Sequence, residues 1–278
     1  MTAHTHVQYG PRLIGHPTGA LRAAVLVKPT PAIESVPPLK GEPGAIFGRA
    51  LEQHTVLVGT LRYFGVDVTV LDAPDRAPLA CAAADLAVCF EHGAVVMRPS
   101  SLDRWAEVEQ LEAQLTKLDI PIGGHIAPPG LLDGTDVLLA GNTVFIGKTS
   151  RSNAIGRSGF AEIARANGYA AVEVAVDESV KSLRSVVNAV AADTLVIAAN
   201  RVDGDAFSAF KLLEVDLGHE LGAGVFALGA HRVIADLRYG PSFALLQRNG
   251  VAVEAIDLYD FGKVGLVPSS LILSLKRS

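Results

Sequence analysis

Apolar and polar positions along the chain repeat one pattern: two short apolar runs, an amphipathic stretch, then a third apolar run introduced by glycine or a polar stop. Short apolar runs bounded by turn residues read as strands, and apolar residues at three- and four-residue spacing read as one face of a helix. The unit is therefore β-β-α-β. One copy has a hairpin at 86–90 and 94–97, a helix over 101–118 and a strand at 120–122. The next has its hairpin over 137–148, closed by the tight turn Gly141-Asn142, then a helix over 153–167 and a strand over 170–176. The pattern then loosens into a strand at 194–198, a hairpin of 224–228 and 232–236 around Gly229-Ala230, a helix over 241–248 and a strand at 251–257.

The first copy is split between the chain ends. Residues 23–28 predict a strand, 45–64 a helix and 66–71 a strand, while 271–275 supplies the missing partner. About five units at roughly 50-residue spacing, one of them split, predict a closed α/β ring rather than an open stack. The alternative is a two-layer α/β sandwich with accidental self-similarity. One domain over 1–278 is expected, with 1–20 as a partly mobile N-terminal segment. In such a ring, turns and strand ends converge on a central channel, which makes Glu91-His92, Asp133 to Asp136 and Val267-Pro268-Ser269 candidates to face one another.

With 49% hydrophobic and 19% charged residues over 278 positions, the chain has material for a substantial core. Lys and Arg number 24 against 29 Asp and Glu, a net charge of −5 without a basic run. That balance argues against nucleic acid or an anionic membrane as partner. It leaves small molecules and proteins, a second copy in a homodimer included. Asp85 and Glu91 interrupt the most apolar window before it reaches the ~18 residues a membrane span needs. Cys81 and Cys89 are too few for a disulfide framework, and 1–11 lacks the apolar core of a secretory signal. A cytoplasmic protein without a cofactor is the expectation.

The densest chemistry lies in 131–153. Asp133-Gly134-Thr135-Asp136 opens one strand and Arg151 follows its hairpin partner, so acid and base stand at opposite ends of the segment and suit a zwitterionic ligand. Here the chain resembles the dimethylarginine dimethylaminohydrolase family of the guanidine-modifying superfamily, whose fold is the five-bladed α/β propeller, or pentein. Leu132-Asp133-Gly134-Thr135-Asp136-Val137-Leu138 and Gly147-Lys148-Thr149-Ser150-Arg151-Ser152-Asn153 are similar to the family's Leu-acid-Gly-Gly-Asp-Val-Leu and Gly-x-Ser-x-Arg-Thr-Asn. Weaker similarity lies at Lys40-Gly41-Glu42, Gln53-His54 and Arg98-Pro99. The resemblance implies that Asp133 grips a guanidinium and that Arg98 and Arg151 bind the substrate's carboxylate.

The resemblance also shows what is missing. The family's chemistry uses a cysteine thiolate to attack the guanidinium carbon and a histidine to move protons. The family's Thr-Cys ahead of the last strand reads Val267-Pro268-Ser269-Ser270, so proline or Ser269 stands at the nucleophile. Leu-His-Leu-Lys-Ser is matched by Glu178-Ser179-Val180-Lys181-Ser182, which puts Ser179 at the histidine. Phe-Val-Glu-Asp is matched to Cys89-Phe90-Glu91-His92, with His92 in place of a guanidinium-binding carboxylate, and Thr135 replaces a glycine. No cysteine follows Cys89, so the C-terminal nucleophile is absent in any register.

Each candidate also has a plain structural reading. Asp133 before glycine is a turn former, and Asp136 a bonding partner for loop amides. Arg98 and Arg151 are solvated side chains or a bidentate grip on a carboxylate. His92 is a polar turn residue or a changed ligand contact; Cys89 is a small core residue or a relocated nucleophile. Cys89-x-x-His92 is half a metal site without a second pair, and His4-x-His6 lies in the tail, so no metal is expected. Three functions follow. The first is a catalytically altered member binding a small amino-acid or guanidino ligand through Arg98, Arg151 and Asp133, with Cys89, His92, Ser179 and Ser269 lining the channel. The second is a hydrolase of guanidino C–N bonds rebuilt from Cys89, His92 and Asp133. The third is a structural or interaction role.

Overall fold

In the computed structural model, which describes residues 9–278, the repeating unit closes into five three-stranded sheets around one axis. The chain enters through β1 (Leu21–Val27), α1 (Phe47–Tyr63) and β2 (Asp67–Leu71). Blade two is β3 (Ala87–Cys89), β4 (Ala94–Val96), α2 (Trp105–Lys117) and β5 (Ile122–His125). Blade three is β6 (Val137–Ala140), β7 (Thr143–Lys148), α3 (Ala154–Ala166) and β8 (Ala170–Ala175). Blade four is β9 (Val187–Ala191), β10 (Thr194–Ile197) and β11 (Lys211–Glu214), with a single 3₁₀ turn, Gly204–Phe207, where the helix would be. Blade five is β12 (Phe226–Gly229), β13 (Arg232–Asp236), α4 (Gly240–Arg248) and β14 (Ala252–Ile256). Two short helices, α5 (Tyr259–Gly262) and α6 (Pro268–Leu271), lead to β15 (Leu273–Arg277), which pairs antiparallel with β1 and completes the split blade. The ring, not the sandwich, is the fold.

Within each blade the middle strand pairs antiparallel with the inner strand and parallel with the outer one. Burial explains the sequence pattern. Inner strands are short and mostly apolar, as in the fully buried Val187–Ala191 with its one Asn188, because they line the axis on one face and pack on neighbours on the other. The outer strand β8 is mostly open, and it is the one that alternates. Aromatic side chains close the seams between blades: Phe90 against Phe160 at 5.8 Å, and Phe145 against Phe207 at 4.6 Å between ring centres.

Every inner strand is preceded by a tight helical turn: Ala83–Asp85, Gly134–Asp136, Leu183–Ser185, Glu220–Ala223 and α6. These five turns meet at one end of the channel, and the hairpin turns lie at the other. That polarity corrects one expectation. Asp133 to Asp136 and Val267-Pro268-Ser269 share the mouth, but Glu91-His92 belongs to a hairpin turn at the far end, where the Glu91 carbonyl accepts from Leu13 N at 2.7 Å. Residues 9–20 are fastened to the last strand, with Gly15 N donating to Arg277 O at 3.0 Å and Leu13 and Ile14 buried. Residues 1–8, with His4 and His6, lie outside the described residues.

Other differences are local. β5 lies over Ile122–His125 rather than 120–122, because Gly123-Gly124 gives no apolar signal of its own. α2 begins at Trp105 rather than 101, after a 3₁₀ turn that folds Arg104 inward. No described helix is long and apolar enough to cross a membrane.

Candidate ligand site at the channel mouth

An antiparallel hairpin brings its entry and its exit to the same end, so Asp133, Asp136 and Arg151 meet instead of standing apart. Arg151 Nη2 donates to Asp85 Oδ2 at 2.5 Å and to Asp133 Oδ2, and its Nη1 donates to Thr135 Oγ at 3.3 Å. Asp85 also receives Thr135 Oγ and, at 2.5 Å, Arg104 Nη1. Arg104 is completed by Glu107, whose Oε2 accepts from Nε at 3.0 Å and Nη2 at 2.8 Å. Asp133 Oδ1 takes Ser100 N at 2.9 Å, while Asp136 takes Leu183 N at 3.0 Å and the Thr149 hydroxyl. Blades two, three and four are thus tied at the mouth by one ionic network. Gly134 permits the approach, since a Cβ there would strike the Ala84 carbonyl oxygen.

Four carboxylates face two guanidiniums in this network, and burial sets most of their titration behaviour, modified by these neighbours. Burial raises Asp85, but Arg151 and Arg104 outweigh it and hold the carboxyl below its usual range. Asp133 is raised by burial and by Asp85, against the pull of Arg151. Burial likewise raises Glu107. Asp136, wholly buried, is pushed up to about 7, chiefly by burial and in spite of Arg151, Thr149 and Leu183. Burial works to lower Arg151, yet the surrounding carboxylates raise it.

The remaining candidates fall elsewhere. Arg98 sits at the rim, its guanidinium 4.0 Å from the Trp105 ring centre and donating to Gly130 O at 3.1 Å. Cys89 closes β3 at the hairpin end, four residues and ~13 Å of extended chain from Asp85. Its thiol is buried and pushed up to about 12, so a relocated thiolate beside Asp133 is not formed. His92 is exposed on the far turn with Glu91 as its neighbour at 3.9 Å. Ser179 is exposed in a turn capped by Asp177 and contacted by Arg201. Ser269 is buried at the mouth, its hydroxyl donating to Arg184 O at 2.8 Å.

Sequence reasoning missed Asp85, Arg104, Glu107 and the role of the Thr135 hydroxyl. Asp85 stands one blade before Asp136 in the same position, directly ahead of an inner strand. Matching the closing acid of Phe-Val-Glu-Asp to Asp85 rather than to His92 puts a carboxylate at the mouth. An aspartate inside the run Cys81-Ala-Ala-Ala-Asp85-Leu was the available signal, because a charge in an apolar stretch needs a partner.

This fold with a carboxylate-rich mouth defines a pentein, the class of the guanidine-modifying proteins. The chain belongs to the dimethylarginine dimethylaminohydrolase family: the family model described as eukaryotic N,N dimethylarginine dimethylhydrolase matches residues 39–210. It is 25% identical over 218 residues to the dimethylarginine dimethylaminohydrolase of Pseudomonas aeruginosa, covering 78% of this chain and 85% of that protein. It is 29% identical over 217 residues to the Streptomyces coelicolor protein of the same name, covering 78% and 82%. The fold superposes on a Cys-to-Ser variant of the Pseudomonas aeruginosa enzyme complexed with citrulline at a TM-score of 0.85, with 22% identity over 92% of this chain and 100% of that one. It also superposes on an amidinotransferase from Microseira wollei at a TM-score of 0.83, with 13% identity over 96% and 98%.

Proposed function

We propose that the chain binds a small guanidino amino acid at the channel mouth and does not hydrolyse it. The observation that carries this reading is the guanidinium of Arg151 resting between Asp85 and Asp133. Two carboxylates spaced to hold one guanidinium will hold another, since the planar fork is the feature they match. A guest with both groups exchanges partners: its guanidinium takes Asp85 and Asp133, and Arg151, released, takes its carboxylate. Arg98 at the rim is the second cation available for that carboxylate. The surplus of carboxylates favours a cationic guest, and the citrulline carried by a structural relative supports the amino-acid class.

Hydrolysis is a different demand. Attack on a resonance-stabilised guanidinium needs an activated nucleophile and a proton carrier. Cys89 is a buried thiol at the far end, and the Ser269 hydroxyl is spent on a carbonyl. The test is proton NMR of the protein with arginine, its methylated forms, ornithine and citrulline, reading saturation transfer for binding and new resonances for turnover. Transfer without product, lost in Asp133→Asn, is expected. Citrulline formation that scales with protein concentration would overturn the non-hydrolytic half, and absence of transfer from every compound would overturn the binding half.

A further inference from the structure

Within the ring the channel holds a cavity of about 100 Å³ that runs along the inner strands of all five blades. That is room for roughly three waters at about 30 Å³ each. Its walls are mainly apolar, with Leu139 and Phe226 among them, and among the described residues the charged side chains lining it are Arg184 and Arg277, with no carboxylate.

Arg277 is 6% exposed, and neutral groups alone hold it: Nη1 donates to Gly19 O at 2.9 Å, Nη2 to Ala227 O at 2.8 Å and Nε to Ser274 Oγ at 3.1 Å. Its guanidinium also stacks on Phe226 at 5.0 Å. Nη1 and Nη2 each keep one further N–H. Arg184 enters from the turn ahead of β9, where its main-chain carbonyl is used by Ser269 and Asn188. Among the described residues its guanidinium has no hydrogen bond and no ion pair, and the charge acting on it from a distance is that of Asp85 at the mouth. A buried cation such as Arg277, held only by neutral dipoles, is costly, and a second guanidinium, Arg184, on the same cavity adds repulsion.

We infer that this cavity is a binding site for a small oxyanion of the inorganic phosphate type, held between Arg184 and Arg277. One guest with two negative charges neutralises both guanidiniums, accepts the unused N–H groups and the Ser274 hydroxyl, and fits the volume. Arg184 is partly accessible, which leaves its guanidinium open to a guest. The charge environment agrees: burial pushes Arg184 down to about 10, and burial with Arg184 nearby pushes Arg277 down to about 9, the direction an anion would reverse. The site differs in lining from the ionic network at the mouth, since none of Asp85, Asp133 and Arg151 lines it.

The test uses the full chain in chloride buffer, with inorganic phosphate added at constant ionic strength and thermal unfolding as the readout. A saturable rise in Tm of roughly 5–10 °C at about a hundredfold excess over Kd is expected. Arg184→Met, which keeps length and removes the charge, should unfold no earlier than the wild type in chloride and should lose the phosphate response. Arg184→Lys should retain part of it. A Tm indifferent to phosphate would overturn the site, and so would a response of equal size in Arg184→Met.

Discussion

Asp136 offers the sharpest test of the electrostatics at the mouth. Its carboxyl is raised from 3.8 to about 7, with burial as the main cause. At about 1.4 kcal/mol per unit, a shift of roughly three units is worth about 4 kcal/mol between the two protonation states. The sign follows from linkage. A folded-state pKa above the unfolded one means that folding takes up a proton in the window between them, so stability falls as pH rises through that window. Below about pH 4 the group is neutral in both states and costs nothing. Above about pH 7 it is ionised in both, and the folded state carries the full penalty.

Asp136→Asn removes that ionisation while keeping the shape. The amide oxygen still accepts from Leu183 N, and the Thr149 hydroxyl can turn to accept from the amide NH₂. Asp85, Asp133 and Glu107 are common to both proteins, so subtracting one stability from the other isolates Asp136. Urea unfolding at several pH values between about 5 and 8 should show the variant gaining on the wild type by about 1.4 kcal/mol per pH unit up to about pH 7, then levelling. In Tm that is about 2–4 °C per kcal/mol for a chain approaching this size. A stability difference that stays constant over the whole range would refute the raised pKa and the burial behind it.

Arg151→Met leaves Asp85 and Asp133 without their shared guanidinium and should cost about 3–5 kcal/mol near pH 8; urea unfolding at about pH 5 should recover part of that loss, as Asp133 protonates. Binding of a guanidino ligand near pH 7 should release protons, because a guest cation draws the raised carboxyl of Asp136 toward ionisation. Titration calorimetry in buffers of different ionisation enthalpy measures that release, and an enthalpy independent of buffer would argue against it. Cys89→Ser should leave ligand saturation transfer unchanged, while in the wild type a thiol reagent should react with Cys89 only once the chain unfolds, which the absorbance of released thiolate follows.

Much of the ring was legible because the inner and middle strands are short apolar runs in hairpins, and the hairpin over 137–148 appears in the structure almost residue for residue. Blade four was half lost. Its helix is a single turn, so β11, Lys211–Glu214, follows no amphipathic stretch, and β9 carries Asn188 inside its apolar run. At the mouth, Asp133 and Arg151 stood out through their local motif, yet their pairing did not, because reading along the chain separates what a hairpin reunites. Arg104 and Glu107 look like an exposed helix pair at three-residue spacing, and only the fold reveals that both are buried. His92 was placed at the channel by counting from the wrong end of β3. A strand of three residues has two ends of opposite fate, one at the mouth and one on a surface turn.

The network at the mouth can be weighed as a stabilising device and as a binding device. As a stabilising device it is poor, since buried ion pairs roughly break even against apolar side chains of similar volume, and here the carboxylates outnumber the guanidiniums. Asp133, Asp136 and Glu107 are raised chiefly by burial and further by neighbouring carboxylates. As a binding device the same surplus is useful: it presents a strong field to a cation, while Arg151 keeps the unliganded carboxylates from standing bare. The opposite holds for the cavity along the channel, where among the described residues neither Arg184 nor Arg277 is bonded to an acid. One axis therefore carries an acid-rich mouth and, along its apolar inner strands, a cavity with two bases. Ion pairing between the two sets would have cancelled both at less cost than burying each charge apart. That they are kept apart is what a stability argument does not explain and two ligand sites of opposite charge would.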